Sequence, residues 1–259
     1  MHLTYLDSNS WLIELDDQRI LLDPWLVGDL VFGGAGWFFR GYRKQARDLP
    51  EGIDLILLSQ GLEDHAHPDT LKALDKTIPV VASPNGAKVA SQAGFAQVTA
   101  IAHGESFVLG DRLRIQAVPG SPIGPMLTEN GYLLTGLTTG IRLYYEPHGN
   151  HSDQLQSEAP VDVAITPLVN LELPLVGPFI KGQDSALQLA TWLTPKVMLP
   201  TAAGGEVQFD GVLTSVLKAS GTVAEFQTML RDRQLPTRVI DPVPGERFAV
   251  DLVDLNVSP

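Results

Sequence analysis

The segment LILLSQGLEDHAHPDTL, residues 55–71, gives the clearest indication of the fold and holds the densest group of metal-binding residue types. Its four apolar residues at 55–58 predict a buried strand, and Pro68 predicts the first turn of a helix. Loops between a strand and a helix are where α/β folds collect functional side chains. Asp64, His65 and His67 stand in this loop, so it is the first candidate site.

The chain on either side of this segment mixes short apolar strands with amphipathic helices. This pattern predicts one α/β sandwich domain over residues 1–259, built from two similar halves. Ser185 or Asp184 is the expected cap of the third helix. Strands are predicted at 3–6, 11–15, 19–22, 53–58, 80–82, 97–101, 113–118, 132–135, 141–145, 161–166 and 197–199, and helices at 69–75, 85–93, 185–193, 211–219 and 223–233.

Composition limits the chemistry that is available to the chain. It has 259 residues, no cysteine and six histidines, so a metal ion would need imidazole, carboxylate or other oxygen ligands. The net charge of −12 disfavours nucleic acid as a partner. The sequence shows neither a leader peptide nor a membrane-spanning segment, and we expect a cytoplasmic protein.

A second polar cluster, YYEPHGNH at residues 144–151, also follows an apolar strand. Glu146 and His148 are two residues apart, and Pro147 with Gly149 predicts a turn that redirects His148. Brought beside Asp64 and His65, His148 would complete a set of two imidazoles and one carboxylate, which suits zinc, manganese or iron. The alternative for residues 144–151 is a polar turn at the end of a strand. The alternative for the first cluster is an aspartate that caps the following helix, with the histidines at the surface.

Two apolar loops interrupt the strand and helix pattern, at residues 31–39 and 171–180. The first contains Trp37, Phe38 and Phe39, and the second contains Pro178 and Phe179. They either add to the core or line an apolar substrate cleft or a surface for a membrane or partner. Periodicity does not separate these interpretations.

Several segments carry a family resemblance in their order and spacing. They are residues 1–26, LILLSQGLEDHAHPDTL at 55–71, GYLL at 131–134, RLYYEPHG at 142–149, VDVAITPL at 161–168 and KVMLPTAAGG at 196–205. They resemble the metallo-β-lactamase superfamily, and most closely its lactonase-like, metal-dependent hydrolases. A subgroup of cyanobacteria and plastid-bearing organisms, with altered metal motifs, is similar too. The resemblance covers nearly the whole chain and implies an αββα four-layer sandwich with a site at one edge, between the sheets.

The chain departs from that family at most of its metal ligands. The family's His-x-His-x-Asp-His motif implies ligands at positions that hold Gln60 and Leu62 here, while Asp64 and His65 remain. A third family histidine falls in the segment 118–122, which has none. His148 stands where the family has an aspartate, and the last family histidine aligns with Ala202.

The resemblance therefore implies at most one divalent metal, held by Asp64, His65 and His148, and an absence of metal is equally compatible with these changes. Gln60, Glu146 and His151 are the candidate catalytic or proton-transfer groups, while Asp23 and His67 are expected to support the ligands. We expect a metal-dependent hydrolase acting on an ester, lactone or thioester with an apolar portion. The alternative is an inactive relative that serves as a binding or assembly module. The missing ligands disfavour a nuclease or a true β-lactamase.

Overall fold

The computed structural model describes residues 1–43, 45–123, 127–174, 177–202 and 204–252. Four α-helices lie at Pro68–Ala73 (α1), Pro84–Gln92 (α2), Gln183–Leu193 (α3) and Val223–Asp232 (α4). The strands are His2–Tyr5 (β1), Trp11–Leu15 (β2), Gln18–Leu22 (β3), Leu30–Val31 (β4), Arg40–Arg43 (β5), Leu55–Leu58 (β6), Val80–Ala82 (β7), Val98–Ala100 (β8), Ser106–Leu109 (β9), Leu113–Ile123 (β10), Leu127–Gly136 (β11), Arg142–Tyr145 (β12), Val163–Ile165 (β13), Asn170–Leu173 (β14), Gly177–Ile180 (β15), Val197–Leu199 (β16), Val207–Asp210 (β17), Lys218–Ser220 (β18), Arg238–Val239 (β19) and Arg247–Ala249 (β20).

Two seven-stranded sheets form the centre of the molecule and share one plan. The first has the order β20-β1-β2-β3-β6-β7-β8, and the second has the order β19-β16-β13-β12-β11-β10-β9. In each sheet, four antiparallel strands continue into three parallel ones. The two halves that the sequence predicts are therefore visible as a repeated strand pattern.

Successive apolar side chains of the central strands point to opposite sides of their sheet, and this builds the layers. In β6, Leu55 and Leu57 point into the core between the sheets, while Ile56 and Leu58 point to the side covered by α1 and α2. In β12, Tyr145 joins the core between the sheets and Tyr144 packs with α3 and α4. Successive side chains of a strand face opposite sides, so each strand is buried on both. The result is the αββα four-layer sandwich, as the resemblance implied.

Three local expectations were wrong. Residues 211–219 form no α-helix, because a short 3₁₀ turn at Leu213–Ser215 gives way to strand β18. The segment 171–180 is not a loop in its described part but contributes to the antiparallel pair β14 and β15, and residues 175 and 176 lie outside the described chain. Helix α3 starts after Gly182, without a side-chain cap from Ser185 or Asp184.

Two small sheets extend from the sandwich, with orders β15-β14-β18 and β17-β5-β4. The first of these contains residues of the apolar segment 171–180, and the second contains Val31 of the apolar segment 31–39. Among the described residues, no helix has the length and apolarity needed to cross a membrane.

Candidate functional site

The candidate site lies where one strand of each large sheet ends. Asp64 and His65 follow β6 in the first sheet, and His148 follows β12 in the second. Each of these three residues offers a donor atom within 4.8 Å of the other two. Both sheets therefore contribute to one cluster of two imidazoles and a carboxylate.

The loop after β6 is shaped by tight packing and by the start of α1. Gly61 passes so close to α2 that a Cβ there would lie 3.0 Å from the carbonyl oxygen of Asn85. A turn follows, in which the N–H of His65 donates to the carbonyl of Leu62. His67 then caps α1, because its ring accepts a hydrogen bond from the N–H of Thr70. This fixed course presents Asp64 and His65 at the end of the strand.

Two carboxylates hold the ring of His65. Its Nδ1 lies 2.7 Å from Oδ2 of Asp23, and its Nε2 lies 3.1 Å from Oδ2 of Asp64. Burial lowers the pKa of His65, but Asp64 and Asp23 outweigh that effect and raise it well above the ordinary value. Burial likewise acts to raise the pKa of Asp64, whereas His65 and then His148 bring it below the usual range.

Asp23 is the buried anchor of this arrangement. Besides His65, it accepts hydrogen bonds from the hydroxyls of Ser59 at 2.5 Å and Tyr145 at 2.7 Å, and from the N–H of Ser59 at 2.7 Å. Its backbone has a φ of 43°, a conformation that Asp and Asn tolerate better than most residues. Asp23 therefore braces His65, and its role in supporting a metal ligand stays a prediction.

His148 is held in the same way by a residue that the sequence did not single out. Its Nδ1 lies 2.6 Å from Oε1 of Glu129, which is fully buried in β11. The rings of His65 and His148 have centroids 5.2 Å apart. A carboxylate at Nδ1 favours a proton on that nitrogen and leaves Nε2 free for a metal. The two histidines thus share one carboxylate–imidazole design.

The donor set fits a metal ion. Oδ1 of Asp64 is buried without a hydrogen-bond partner in the described chain, as is Oδ1 of Asn9. Asn9 also places its Nδ2 3.3 Å from Nε2 of His65. Two imidazoles and a carboxylate with further positions open are a ligand set found with zinc, manganese and iron.

The side chains of the three candidate catalytic residues, Gln60, Glu146 and His151, are all buried but differ in their contacts. Gln60 is buried, and its Oε1 has no partner in the described chain. Glu146 is buried, and its Oε2 accepts from the N–H groups of His148 and Asn150. Burial first and Glu129 second raise the pKa of Glu146 well above its ordinary value. His151 lies 4.0 Å from Glu146, and burial together with Lys181 lowers its pKa to about 3.

His67 does not join the cluster. Its Nδ1 faces Thr70, and its Nε2 lies 3.1 Å from the carbonyl oxygen of Asp29. The ring therefore joins the start of α1 to the segment before β4. These contacts account for the burial of His67, and a supporting role for it stays a prediction.

An apolar cavity of about 370 Å³ opens beside Asp64. Phe39 and Phe179 line it, although Phe179 is itself 41% exposed. Trp37, Phe38 and Pro178 are exposed and do not line it. Ala202, at the position of the family's last histidine, forms part of the wall and has a φ of 70°. Other apolar lining residues are Leu30, Phe32, Leu171, Ile180, Phe209, Leu213, Leu217 and Ala219.

Comparison with known proteins identifies the family. Residues 2–202 match the family model described as a beta-lactamase superfamily domain. The chain belongs to the metallo-β-lactamase superfamily. No curated protein matches it.

Solved structures share the fold of this metallo-β-lactamase-like chain. The metallo hydrolase Igni18 from Ignicoccus hospitalis has 18% identity and a TM-score of 0.68, over 96% of this chain and 99% of that one. An isothiocyanate hydrolase from Delia radicum gut bacteria has 16% identity and a TM-score of 0.69, over 97% and 100%. The diiron β-hydroxylase CmlA from Streptomyces venezuelae has 16% identity and a TM-score of 0.67, over 97% of this chain and 54% of its own.

Sequence reasoning missed Glu129 and Asn9. Glu129 has no motif around it, but it is the only carboxylate between Asp111 and Glu146 and stands just before an apolar strand. An isolated acidic residue at a strand predicted to be buried is a usable signal, because such a charge needs a partner. Asn9 lies in a polar turn between two strands, where turn propensity alone accounts for an asparagine.

Proposed function

We propose that the chain is a metal-dependent hydrolase with one catalytic metal bound by Asp64, His65 and His148. The convergence of their donor atoms within 4.8 Å carries this proposal. The short contacts from Asp23 to His65 and from Glu129 to His148 support it, because they orient imidazoles as metal sites require. Zinc, manganese and iron all suit this donor set.

A metal bound there would make water a stronger acid and polarise a carbonyl oxygen. The protein's own part is to hold the ligands and to exclude bulk water. Asp23 and Glu129 keep the two rings in place, and the buried Gln60 offers an unpaired Oε1. Gln60, Glu146 and His151 stay predicted catalytic residues. With its pKa near 3, His151 is neutral at physiological pH and would act as a hydrogen-bonding group.

The cavity supports a substrate with an apolar portion. Asp64 and Asn9 supply its polar end, and Phe39 and Phe179 belong to its apolar lining. An ester, lactone or thioester would place its carbonyl near Asp64 and its hydrocarbon part among the phenyl rings. We propose this substrate class because of the residues that line the cavity. The cytoplasmic location is a separate proposal that rests on the sequence alone.

Metal analysis tests the centre of the proposal. Chain purified without a histidine tag should hold about one zinc, manganese or iron ion after incubation with that metal. The His65→Ala and His148→Ala variants should lose it, while His2→Ala, which changes a histidine outside the site, should keep it. Metal content near zero in the unaltered chain after incubation would refute the proposal.

Substrate preference tests the cavity. Replacing Phe39 or Phe179 with serine should lower kcat/KM for long-chain esters by about tenfold or more, because each contributes apolar surface to the binding cavity. Trp37→Ser is the matched control, since Trp37 is 74% exposed and does not line the cavity. Equal losses in all three variants would argue against the cavity as the binding place.

A non-catalytic binding module is the second candidate. The observation that favours it is the placing of His65 between Asp23 and Asp64, an arrangement in which protonated imidazole balances charge without a metal. The apolar cavity would then bind a ligand without hydrolysing it. If the chain takes up no metal but still binds the ligand, the non-catalytic binding module is the correct function.

A further inference from the structure

Two segments without a charged residue, 32–39 and 211–217, lie side by side at the surface. The N–H of Leu213 in the second segment donates to the carbonyl of Phe38 in the first at 2.9 Å. Four large apolar side chains of these segments are exposed, and we call them the apolar patch: Trp37, Phe38, Val212 and Val216. Exposed apolar surface that is concentrated in this way marks a place of interaction.

The polar groups around the apolar patch are already bonded to one another. The N–H groups of residues 212–217 all donate to carbonyls of the two segments. Thr214 and Ser215 carry the hydroxyls there, and these donate to the carbonyls of Gly211 and Val212, each at 2.7 Å. Hydrocarbon offers no hydrogen bonds, so this arrangement suits contact with lipid. A protein partner ordinarily uses such groups for hydrogen bonds across the interface.

The apolar patch adjoins the opening of the apolar cavity. Phe39 and Leu213 follow patch residues in the sequence and line the cavity. Phe209 also lines it, and because its side chain is exposed it stands at the opening. The rings of Phe39 and Phe209 stack with centroids 5.5 Å apart. Apolar surface is therefore continuous from the exterior of the molecule into the cavity.

The charges at the border of the apolar patch are balanced. Arg40 lies 2.6 Å from Asp29 and is the strand partner of Asp210. Lys218 is the strand partner of Glu172. These cations leave no excess positive charge to attract anionic lipid, and the net charge of −12 opposes such attraction. A bilayer of zwitterionic lipid fits this surface better.

We infer that the apolar patch docks on the surface of a zwitterionic lipid bilayer. Trp37 and Phe38 would enter the interfacial region, where aromatic side chains are favoured, and the chain would lie on the bilayer without crossing it. Docking itself needs neither a metal nor hydrolysis. In a consequence that rests on the proposed function, docking would turn the opening of the cavity towards substrates dissolved in the lipid.

Sedimentation with phosphatidylcholine vesicles tests the docking. The full chain should bind, and Val216→Asp should lower the partition coefficient by about tenfold or more, because it replaces buried apolar surface by a charge. Val108→Asp is the matched control and should bind like the unaltered chain. Val108 is a valine of nearly equal exposure, 44% against 43%, but it lies in β9, outside the apolar patch.

Tryptophan emission identifies the docking face. Trp11 and Trp25 are fully buried, whereas Trp37 is exposed. Phosphatidylcholine vesicles should therefore shift the emission of the unaltered chain to shorter wavelength through Trp37. Trp37→Phe should lose this shift and still sediment with the vesicles, because phenylalanine keeps the apolar contact. These vesicles hold no substrate, so Trp37 can contact lipid and leave hydrolysis of a dissolved ester unchanged.

Several outcomes would overturn the docking. They are an unaltered chain that does not bind phosphatidylcholine vesicles, equal losses in Val216→Asp and Val108→Asp, and binding only to vesicles that contain phosphatidylserine. A dimer that Val216→Asp dissociates, without vesicle binding, would show that a second copy covers the apolar patch. If Val216→Asp does not fold, Val212→Asp replaces it. Metal content is measured separately, so a chain that docks but holds no metal refutes the proposed hydrolase alone.

Discussion

Asp23 concentrates four hydrogen bonds on one carboxylate, from Ser59, His65 and Tyr145. The His65 contact orients a proposed ligand, so its loss should loosen the metal site before it unfolds the protein. Asn suits the φ of 43° at this position, although its amide nitrogen cannot accept the bonds that an oxygen accepts. The resemblance to the family predicted this bracing position, whereas local propensity did not.

We expect Asp23→Asn to weaken Zn²⁺ binding by about 10–100-fold, the usual effect of removing a carboxylate that orients a metal-bound histidine. Calorimetric titration of the stripped protein would measure it. Asp29→Asn, at an exposed carboxylate paired with Arg40, is the control and should bind Zn²⁺ as the unaltered chain does. Unchanged affinity in Asp23→Asn would contradict the bracing role.

Gly149, just after His148, lies so close to the backbone of Lys181 that there is no room for a side chain. Its φ is 74°, and a Cβ there would lie 1.7 Å from the carbonyl oxygen of Lys181. Gly140 has a nearly equal φ of 73° with nothing within 4 Å. We expect Gly140→Ala to cost about 1–2 kcal/mol for the left-handed backbone. Gly149→Ala should cost more than about 4 kcal/mol, because it adds a backbone clash.

Urea unfolding of both glycine variants would measure these free energies of unfolding. The comparison isolates the contact with Lys181, because the two positions have nearly the same φ. Similar costs at both positions would show that the chain near Lys181 moves away easily. The His148 loop would then be less firmly held than its contacts indicate.

At the scale of elements, alternation made the central strands predictable. Leu55 to Leu58 and Tyr144 with Tyr145 are buried on both faces, so the apolar pattern alone identifies them. The segment 211–219 has apolar residues that also fit a helix, but Leu213 and Leu217 line the cavity from a 3₁₀ turn and the chain that follows it. Glu129 was missed because its partner His148 is distant in sequence, and only strand pairing between β11 and β12 brings them together.

Asp7 ties three separate elements together. It follows β1, accepts hydrogen bonds from Arg43 in β5 and from Arg47, and accepts the N–H of Glu206 before β17. Asp7 is fully buried, and the Arg43 side chain is only 5% exposed. Removing one partner of a buried ion pair leaves the other charge unpaired, which typically costs about 3–5 kcal/mol.

Asp7→Asn should therefore lower the free energy of unfolding at pH 7 by about 3–5 kcal/mol. Asp29→Asn breaks the exposed pair with Arg40 and should cost about 0–1 kcal/mol. Chemical denaturation of both variants would measure the difference. A cost for Asp7→Asn as small as that for Asp29→Asn would refute the linking role.

The same carboxylate predicts a pH dependence. Burial acts to raise the pKa of Asp7, but hydrogen bonds from Arg47, Glu206 and Arg43 bring it below the ordinary value. The unfolded chain thus takes up this proton first, near pH about 3.9, and the stabilisation is present above that pH and is lost as the pH falls towards the folded pKa. The stability gap between the unaltered chain and Asp7→Asn should narrow below about pH 4. A gap independent of pH from 7 to 3 would contradict this.

For the whole molecule, the proposed catalytic metal would connect the two halves of the sandwich. Asp64 and His65 belong to the end of a strand in one large sheet, and His148 belongs to the other. Neither sheet supplies the three ligands alone, so the site exists only in the assembled sandwich. A metal bound there has no equivalent site in the unfolded chain, and its binding energy adds to the stability of the whole fold.

Saturation with Zn²⁺ at about 100 times its Kd should add about 2.7 kcal/mol of stability. For a chain of this size, each kcal/mol raises Tm by about 2–4 °C, so Tm should rise by about 5–11 °C. His148→Ala should abolish most of the rise, because it removes the ligand from the second sheet, while His2→Ala should retain it. Thermal melts with and without Zn²⁺ would decide the matter. A Tm that does not respond to zinc, manganese or iron would favour the non-catalytic binding module, since the sheets would then be joined without a metal.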